Sequence, residues 1–314
     1  AVCAHLSAQR SIPACTHRQH SSHTVHQQQP KHRQSQRQRQ QRHISTHAGV
    51  DIALLTTTTP AIRDLVLVVA AGIGGKAWTK LFDYAVRQGK LEQKLSRKLV
   101  HITTGPIFLL TWPLFSANPW APILAACVPA LNAARITAVG LGYAEDRGLV
   151  SSVSRSGDSG ELLKGPLYYC LILIVATLLF WREDPAGLVA VCLMCGGDGL
   201  ADIAGRRWGK GNSLPHNPGK SWAGSAAMLL GGTAMAAGML AVFCGLGYLN
   251  CYTPAQMLPY LLLISLVATV VESLPINQVL DDNLTVPLVA AISSEILLPH
   301  AAHAALSLAA GVAL

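Results

Sequence analysis

The densest set of residues able to carry chemistry runs from Cys195 to Lys210 and reads Cys-Gly-Gly-Asp-Gly-Leu-Ala-Asp-Ile-Ala-Gly-Arg-Arg-Trp-Gly-Lys. Asp198 and Asp202 stand four residues apart, so a helical backbone puts both carboxylates on one face, where they can share a hard cation such as Mg²⁺. Gly196, Gly197 and Gly199 let the backbone come close to a phosphate, and Arg206, Arg207 and Lys210 follow as cations able to clamp its oxygens. Acids so close to apolar sequence are costly unless they are paired or face water.

Four further sets accompany this one. In Asn217-Pro218-Gly219-Lys220-Ser221-Trp222-Ala223-Gly224, Lys220 and Ser221 stand at the start of an apolar helix, a position that suits a triphosphate oxygen. It is not a P-loop, because the upstream Gly is missing at the required offset. Glu272 ends an otherwise uncharged stretch before Ser273-Leu274-Pro275, and Asp281-Asp282-Asn283 follows; a buried partner or a metal accounts for Glu272 better than solvation does. Arg97 and His101 lie one turn apart where an apolar stretch begins; Lys98 beside them reads as an interfacial, snorkelling lysine. Glu161 and Lys164 sit before Gly165-Pro166, either as a plain i,i+3 pair or as part of the same polar face.

The elements that must position these groups are hydrophobic. Of 314 residues 51% are apolar and 13% charged, and mean hydropathy is +0.36. Long apolar stretches alternate with short polar ones from residue 60 onward, predicting an all-α polytopic transmembrane bundle of seven to nine spans. They fall near Ala61–Trp78, Leu99–Phe115, Ala121–Leu141, Pro166–Trp181, a fifth from Ala186 into a Gly-rich break at Cys195, Ala223–Tyr248, Met257–Leu274, and one or two over Thr285–Leu314. The loops after spans one, three and five carry thirteen Lys or Arg, whereas those after spans two, four and six carry Arg182 alone. The positive-inside rule therefore sets the charged loops, and the chemistry they bear, on one face.

Net charge is +8, but residues 1–50 hold seven basic residues and no acid, so the excess belongs to that segment and not to a nucleic-acid-binding surface. Its basic, hydroxylated, Gln- and His-rich composition predicts a disordered leader resembling an organelle transit peptide, ahead of a membrane domain over 51–314. The eight cysteines have no regular spacing; Cys192 and Cys195 form a C-x-x-C pair without the partner pair a zinc site needs. The same composition argues against a soluble enzyme and excludes a fully disordered chain, a collagen-like chain and a disulfide scaffold.

Clustered acids, phosphate-binding cations and glycines on one membrane face point to Mg²⁺-assisted phosphoryl or nucleotidyl transfer to a lipid-soluble substrate. A transporter with ion sites at broken helices, and a cytidylyltransferase acting on a lipid phosphate, are the competing classes. The motifs narrow this further. Ser96-Arg97-Lys98-Leu99-Val100-His101, Glu161 through Tyr169, Met194 through Gly199 with Asp202 and Arg206, Lys220 through Gly224, Val270 through Pro275, and Asp281-Asp282-Asn283 resemble, in order, the plant and algal phytol kinases over residues 90 to 290.

The resemblance implies a polytopic kinase, related to dolichol kinases, that phosphorylates a long isoprenoid alcohol. It implies a nucleoside triphosphate donor, typically CTP, a divalent metal, and a place in phytol salvage toward tocopherol in a chloroplast membrane, with the active face toward the stroma. The alternative that the resemblance leaves open is a farnesol or geranylgeraniol kinase of the same family, since a close relative acting on farnesol shares the motifs. Carried onto this chain, Asp198 and Asp202 hold Mg²⁺, Lys220 and Arg206 neutralise the transferred phosphoryl, and Glu272 or Asp282 takes the alcohol proton or a second metal. Gly196, Gly197, Gly199, Lys210 and Ser221 are the expected nucleotide contacts; Arg97, His101, Glu161, Lys164, Asp281 and Asn283 are expected to support the alcohol.

Overall fold

A computed structural model describes residues 59–154, 157–249, 254–275 and 280–312, with backbone alone at 254–255 and 301–312. The expected leader, residues 1–50, lies outside these. Among the described residues the helices are α1 (Pro60–Arg87), α2 (Gln93–Leu109), α3 (Ala121–Gly140), α4 (Arg147–Val153), α5 (Gly165–Phe180), α6 (Pro185–Cys192), α7 (Gly199–Trp208), α8 (Trp222–Gly245), α9 (Pro254–Ser273) and α10 (Asp282–Val312). A two-stranded antiparallel hairpin, β1 (Ser213–Leu214) and β2 (Asn217–Ser221), joins α7 to α8.

Local chemistry sets many of the boundaries. Pro60, Pro122, Pro166 and Pro185 occupy the first turns of α1, α3, α5 and α6, where no backbone N–H is needed. Asp146 caps α4 by accepting the Leu149 N–H at 2.9 Å, and Asp184 caps α6 by accepting that of Ala186 at 2.8 Å. Ser221 Oγ accepts the Gly224 N–H at 3.2 Å, so β2 ends where α8 begins.

Six helical stretches among the described residues are long and apolar enough to cross a membrane, fewer than the seven to nine expected. The expected second span drops out because α2 has only 17 residues and gives way to a 3₁₀ turn at Trp112–Leu114, where Pro113 prevents continuation. The expected last one or two are a single helix of 31 residues, α10, diluted by Ser293, Ser294, Glu295 and Pro299.

The expected break at Cys195 is also absent. α6 continues through a π-helical turn, Leu193–Asp198, into α7, making one rod of 24 residues from Pro185 to Trp208. Glycine is needed there for packing. A Cβ on Gly196 would meet Met235 Sδ of α8 at 2.6 Å, and one on Gly199 would overlap Ile102 of α2. The rod is thus the buried axis of the bundle: Leu188, Val189, Val191, Cys192, Leu193, Met194 and Cys195 are all fully enclosed.

Large apolar side chains also cover the outside, among them Leu65, Val69 and Ile73 on α1, Leu131 on α3, Leu179 on α5, Leu230 on α8 and Ile296 on α10. An apolar surface of that extent fits hydrocarbon as solvent, in which helices satisfy their own backbone groups. At one end of the bundle, the loop after α5 buries Arg182. Its guanidinium donates to the carbonyls of Trp112 (3.3 Å), Phe115 (2.8 Å) and Ser116 (3.1 Å) and lies 4.7 Å from the Tyr248 ring centroid. Tyr248 in turn donates to the Pro113 carbonyl at 3.0 Å, and Asp64 of α1 accepts the Ser116 hydroxyl and N–H.

Removing Arg182 takes a donor from three carbonyls in a largely dry site; that of Trp112 keeps the Phe115 N–H, while those of Phe115 and Ser116 lose the guanidinium. Arg182→Ala is expected to lower stability in detergent by roughly 2–3 kcal/mol, while Arg182→Lys, keeping charge but not the fork, recovers part of it. Thermal unfolding of both variants beside the parent chain checks this.

Candidate active site

Away from the Arg182 clamp, residues from six segments line one polar cavity of about 490 Å³: Lys98 of α2, Asp198 of the π-helical turn, Asp202 and Arg206 of α7, Lys220 of β2, and Glu272 and Asp282 at the facing ends of α9 and α10. Asp198, Glu272 and Asp282 each offer an oxygen within 4.8 Å of the other two. Lys220 Nζ bridges two of them, pairing with Glu272 Oε1 and with Asp282 Oδ2 at 2.9 Å. Lys98 Nζ serves the third, 3.2 Å from Asp198 Oδ2 and 3.8 Å from Asp202 Oδ2. Arg206 holds Asp202 across one helical turn.

The hairpin explains how Lys220 reaches this point. Asn217 Nδ2 donates to the carbonyls of Ser273 (3.1 Å) and Leu274 (3.3 Å), and the His216 ring contacts Ser273 Oγ at 3.1 Å. β2 is thereby fastened to the end of α9, one residue from Glu272. Burial works against the Lys220 charge, but the Glu272 and Asp282 carboxylates outweigh it and hold its pKa above the ordinary lysine value. The ammonium is therefore charged at any physiological pH.

Hard carboxylate oxygens converging from three distant segments fit a divalent cation such as Mg²⁺. The charges agree: four carboxylates (Asp198, Asp202, Glu272, Asp282) already face four cations (Lys98, Arg206, Lys210, Lys220), so a triphosphate entering the cavity brings negative charge that the protein alone leaves uncompensated.

A second cavity of about 370 Å³ adjoins the first. Arg97, His101, Glu161, Lys164, Asp281 and Asn283, the six residues expected to support an alcohol, all line it. Val100, Ile136, Val153 and Pro166 make its wall partly apolar, and Lys98 belongs to both cavities. His101 sits at the division, its Nε2 3.1 Å from the Met194 carbonyl oxygen and 3.6 Å from Asp198 Oδ2. Tyr169 donates its hydroxyl to the His101 carbonyl at 3.1 Å and contacts Cys195 Sγ at 3.3 Å.

The structure redistributes several expected roles. Asp202 does face the polar cavity, but the carboxylates gathered with Asp198 are Glu272 and Asp282, from the end of α9 and the start of α10. Gly196, Gly197 and Gly199 are interior packing residues and do not line the polar cavity. Gly205, Gly209, Gly219 and Gly224 do, together with Arg206, Lys210 and Ser221. Lys98 is no snorkelling lysine: it is only 9% exposed and faces inward to two aspartates. Its one sequence signal is its position three residues before His101, on the same helical face. Tyr169 enters the sequence reading only as the last residue of the Glu161 motif, and Asn217 only as the first residue of the Lys220 set.

Three relatives place this arrangement among known proteins. The chain is 51% identical over 215 residues to "Probable phytol kinase 1, chloroplastic" of Glycine max, covering 68% of this chain and 70% of that one. It is 43% identical over 239 residues to "Phytol kinase 1, chloroplastic" of Arabidopsis thaliana, covering 76% and 77%, and 42% identical over 252 residues to "Probable phytol kinase, chloroplastic" of Triticum aestivum, covering 79% and 83%. No protein-family model and no solved structure matches the chain.

The two carboxylate groupings differ in a measurable way. Millimolar Mg²⁺ is expected to raise the unfolding temperature of the solubilised chain, since a ligand bound only to the folded state stabilises it by mass action. The rise should disappear in Glu272→Gln and Asp198→Asn and persist in Asp202→Asn. Loss in Asp202→Asn with retention in Glu272→Gln would restore the Asp198–Asp202 pair read from spacing.

Proposed function

The chain belongs to the phytol kinase family, and from that premise we propose that it transfers the terminal phosphoryl group of a nucleoside triphosphate, CTP first among them, to the hydroxyl of phytol. The observation that carries this reading is the pair of adjoining cavities, one polar and cation-lined, the other partly apolar, divided at Lys98 and His101. A donor in the first and an alcohol in the second bring phosphorus and hydroxyl oxygen together across that division.

In the reaction the alcohol oxygen bonds to the terminal phosphorus, the bond from phosphorus to the bridging oxygen breaks, and the nucleoside diphosphate departs with the electron pair. The hydroxyl proton passes to a carboxylate. Of the two acids that hold Lys220, Asp282 is the better placed to receive it, because its neighbour Asp281 already lines the alcohol cavity. Lys220, Arg206 and Lys210 neutralise charge on the phosphate oxygens, and Lys98 orients Asp198. Mg²⁺ bound by Asp198 with Glu272 or Asp282 would add charge neutralisation at the same oxygens. Little covalent help is needed for such a transfer, so positioning and charge stabilisation carry the rate.

The alcohol's tail would run from Val100, Ile136 and Val153 into lipid. The relatives' names support a chloroplast membrane, and a polar cavity that takes a water-soluble triphosphate would open toward the stroma. There the product, phytyl phosphate, would enter phytol salvage toward tocopherol.

Solubilised chain incubated with radiolabelled CTP and phytol is expected to form phytyl phosphate and CDP. Asp198→Asn and Lys220→Ala should each lower kcat at least about a hundredfold, the scale of one lost transition-state charge contact. Pyrophosphate release in place of CDP would identify a cytidylyltransferase, and phytol flux without transfer a transporter. Running farnesol, geranylgeraniol and dolichol as acceptors with each of the four triphosphates ranks the substrates.

A further inference from the structure

The wall of the alcohol cavity includes one amide carried by a helix long and apolar enough to cross a membrane. Asn132 lines the cavity from α3, with Ile136 on the same helix and Cys170 on α5. It lies eight positions before the helix end at Gly140, about 12 Å along the axis at 1.5 Å per residue. That end is the polar one, since Gly140 packs on Leu163 beside the cavity residue Lys164.

Asn132 is nevertheless exposed, and its neighbour Leu131 is 68% exposed on the apolar outside of the bundle. Ala133 and Ile136 are buried in one cluster with Leu162 and Cys170. Asn132 therefore stands at the edge of α3, between its outer face and its packed face, and the cavity reaches the outside of the bundle between α3 and α5. Packing does not call for an amide there. Its Nδ2 donates to Cys170 Sγ at 3.3 Å, a weak acceptor, and no donor among the described residues reaches its Oδ1. An amide oxygen without a donor in apolar surroundings has a desolvation cost, and so does a hydroxyl that leaves the water–lipid boundary. One hydrogen bond between the two offsets both.

Resting on the kinase reading, we propose that the gap between α3 and α5 is a lateral portal through which the isoprenoid alcohol enters from the bilayer, and that Asn132 selects its hydroxyl end by accepting a hydrogen bond at Oδ1. A wholly apolar rim would admit the tail as readily as the hydroxyl. Asn132 is a specificity residue of entry and takes no part in phosphoryl transfer; the hydroxyl leaves it for the division at Lys98 and His101, and the tail remains in the portal.

Steady-state kinetics of the full chain in phospholipid vesicles test this. Asn132→Leu, which keeps a branched side chain and removes the acceptor, should lower kcat/KM for phytol about tenfold, the scale of one hydrogen bond, while kcat at saturating phytol and KM for CTP change less than about twofold. Asn132→Gln, which keeps an amide oxygen, should recover most of the loss. An unchanged kcat/KM in Asn132→Leu overturns the proposal, and so does a comparable fall in kcat or rise in KM for CTP, since either marks a structural role. A second measurement needs no variant: a phytol analogue with a diazirine near the hydroxyl, irradiated with the parent chain in vesicles without nucleotide, should label peptides that contain Asn132 or Cys170. Label confined to the outer faces of other helices overturns the portal. Turnover of CTP and phytol by the parent chain tests the kinase reading separately, because labelling needs no catalysis.

Discussion

An ammonium between two carboxylates organises one end of this molecule. Lys220 reaches Glu272 and Asp282 from a hairpin, while the acids come from the end of one long apolar helix and the start of another. Next to hydrocarbon none of the three charges could be left alone, because an unpaired ion there has a desolvation cost of several kcal/mol. The pairing therefore fixes where α9 stops, where α10 starts and how β2 lies against both. Asn217 and His216, bonded to the last turn of α9 and the residue after it, hold the backbone in the register that the ion pairs require.

That constraint meets a second at the axis of the bundle. The Pro185–Trp208 rod is enclosed almost throughout its apolar part, and its π-helical turn ends at Asp198. One extra residue in a turn shifts the side chains that follow around the axis, and such turns recur at functional sites. Here the shift coincides with glycines on which α8 and α2 close tightly, through Met235, Met228 and Ile102. Close packing at the glycines and the inward aim of Asp198 toward Lys98 are thus two results of one local change in helical register.

The sequence disclosed the fold class through apolar stretches about 20 residues long, and most helix ends through proline and capping residues. It also disclosed the residue types of the site, since acids inside apolar sequence are conspicuous. It misjudged connectivity. A Gly-Gly-Asp-Gly run reads as a break because glycine is the weakest helix former short of proline, yet tertiary packing from two neighbours outweighs that propensity. Asp198 and Asp202 were paired by spacing because spacing is local, whereas the partners of Asp198 lie more than seventy residues away. Lys98 reads as a snorkelling cation because a lysine at a span boundary usually is one; only the inward face of α2, set by its packing on the rod, distinguishes it. Tyr169 carries no role in sequence beyond closing the Glu161 motif, being an aromatic residue in an apolar helix until its hydroxyl is seen to meet the His101 carbonyl.

The division of the polar end into two cavities follows from these same contacts. Lys98 and His101 occupy successive turns of α2 and both approach Asp198, so α2 forms a partition between acids that suit a triphosphate and a chamber with apolar walls. A water-soluble ligand and a membrane-soluble one need opposite surroundings, and a single open cleft would flood the second with water. Placing the partition at a short helix, fixed by a lysine on one side and by a Tyr169 hydrogen bond to its backbone on the other, keeps both environments while letting reacting atoms meet over one side chain.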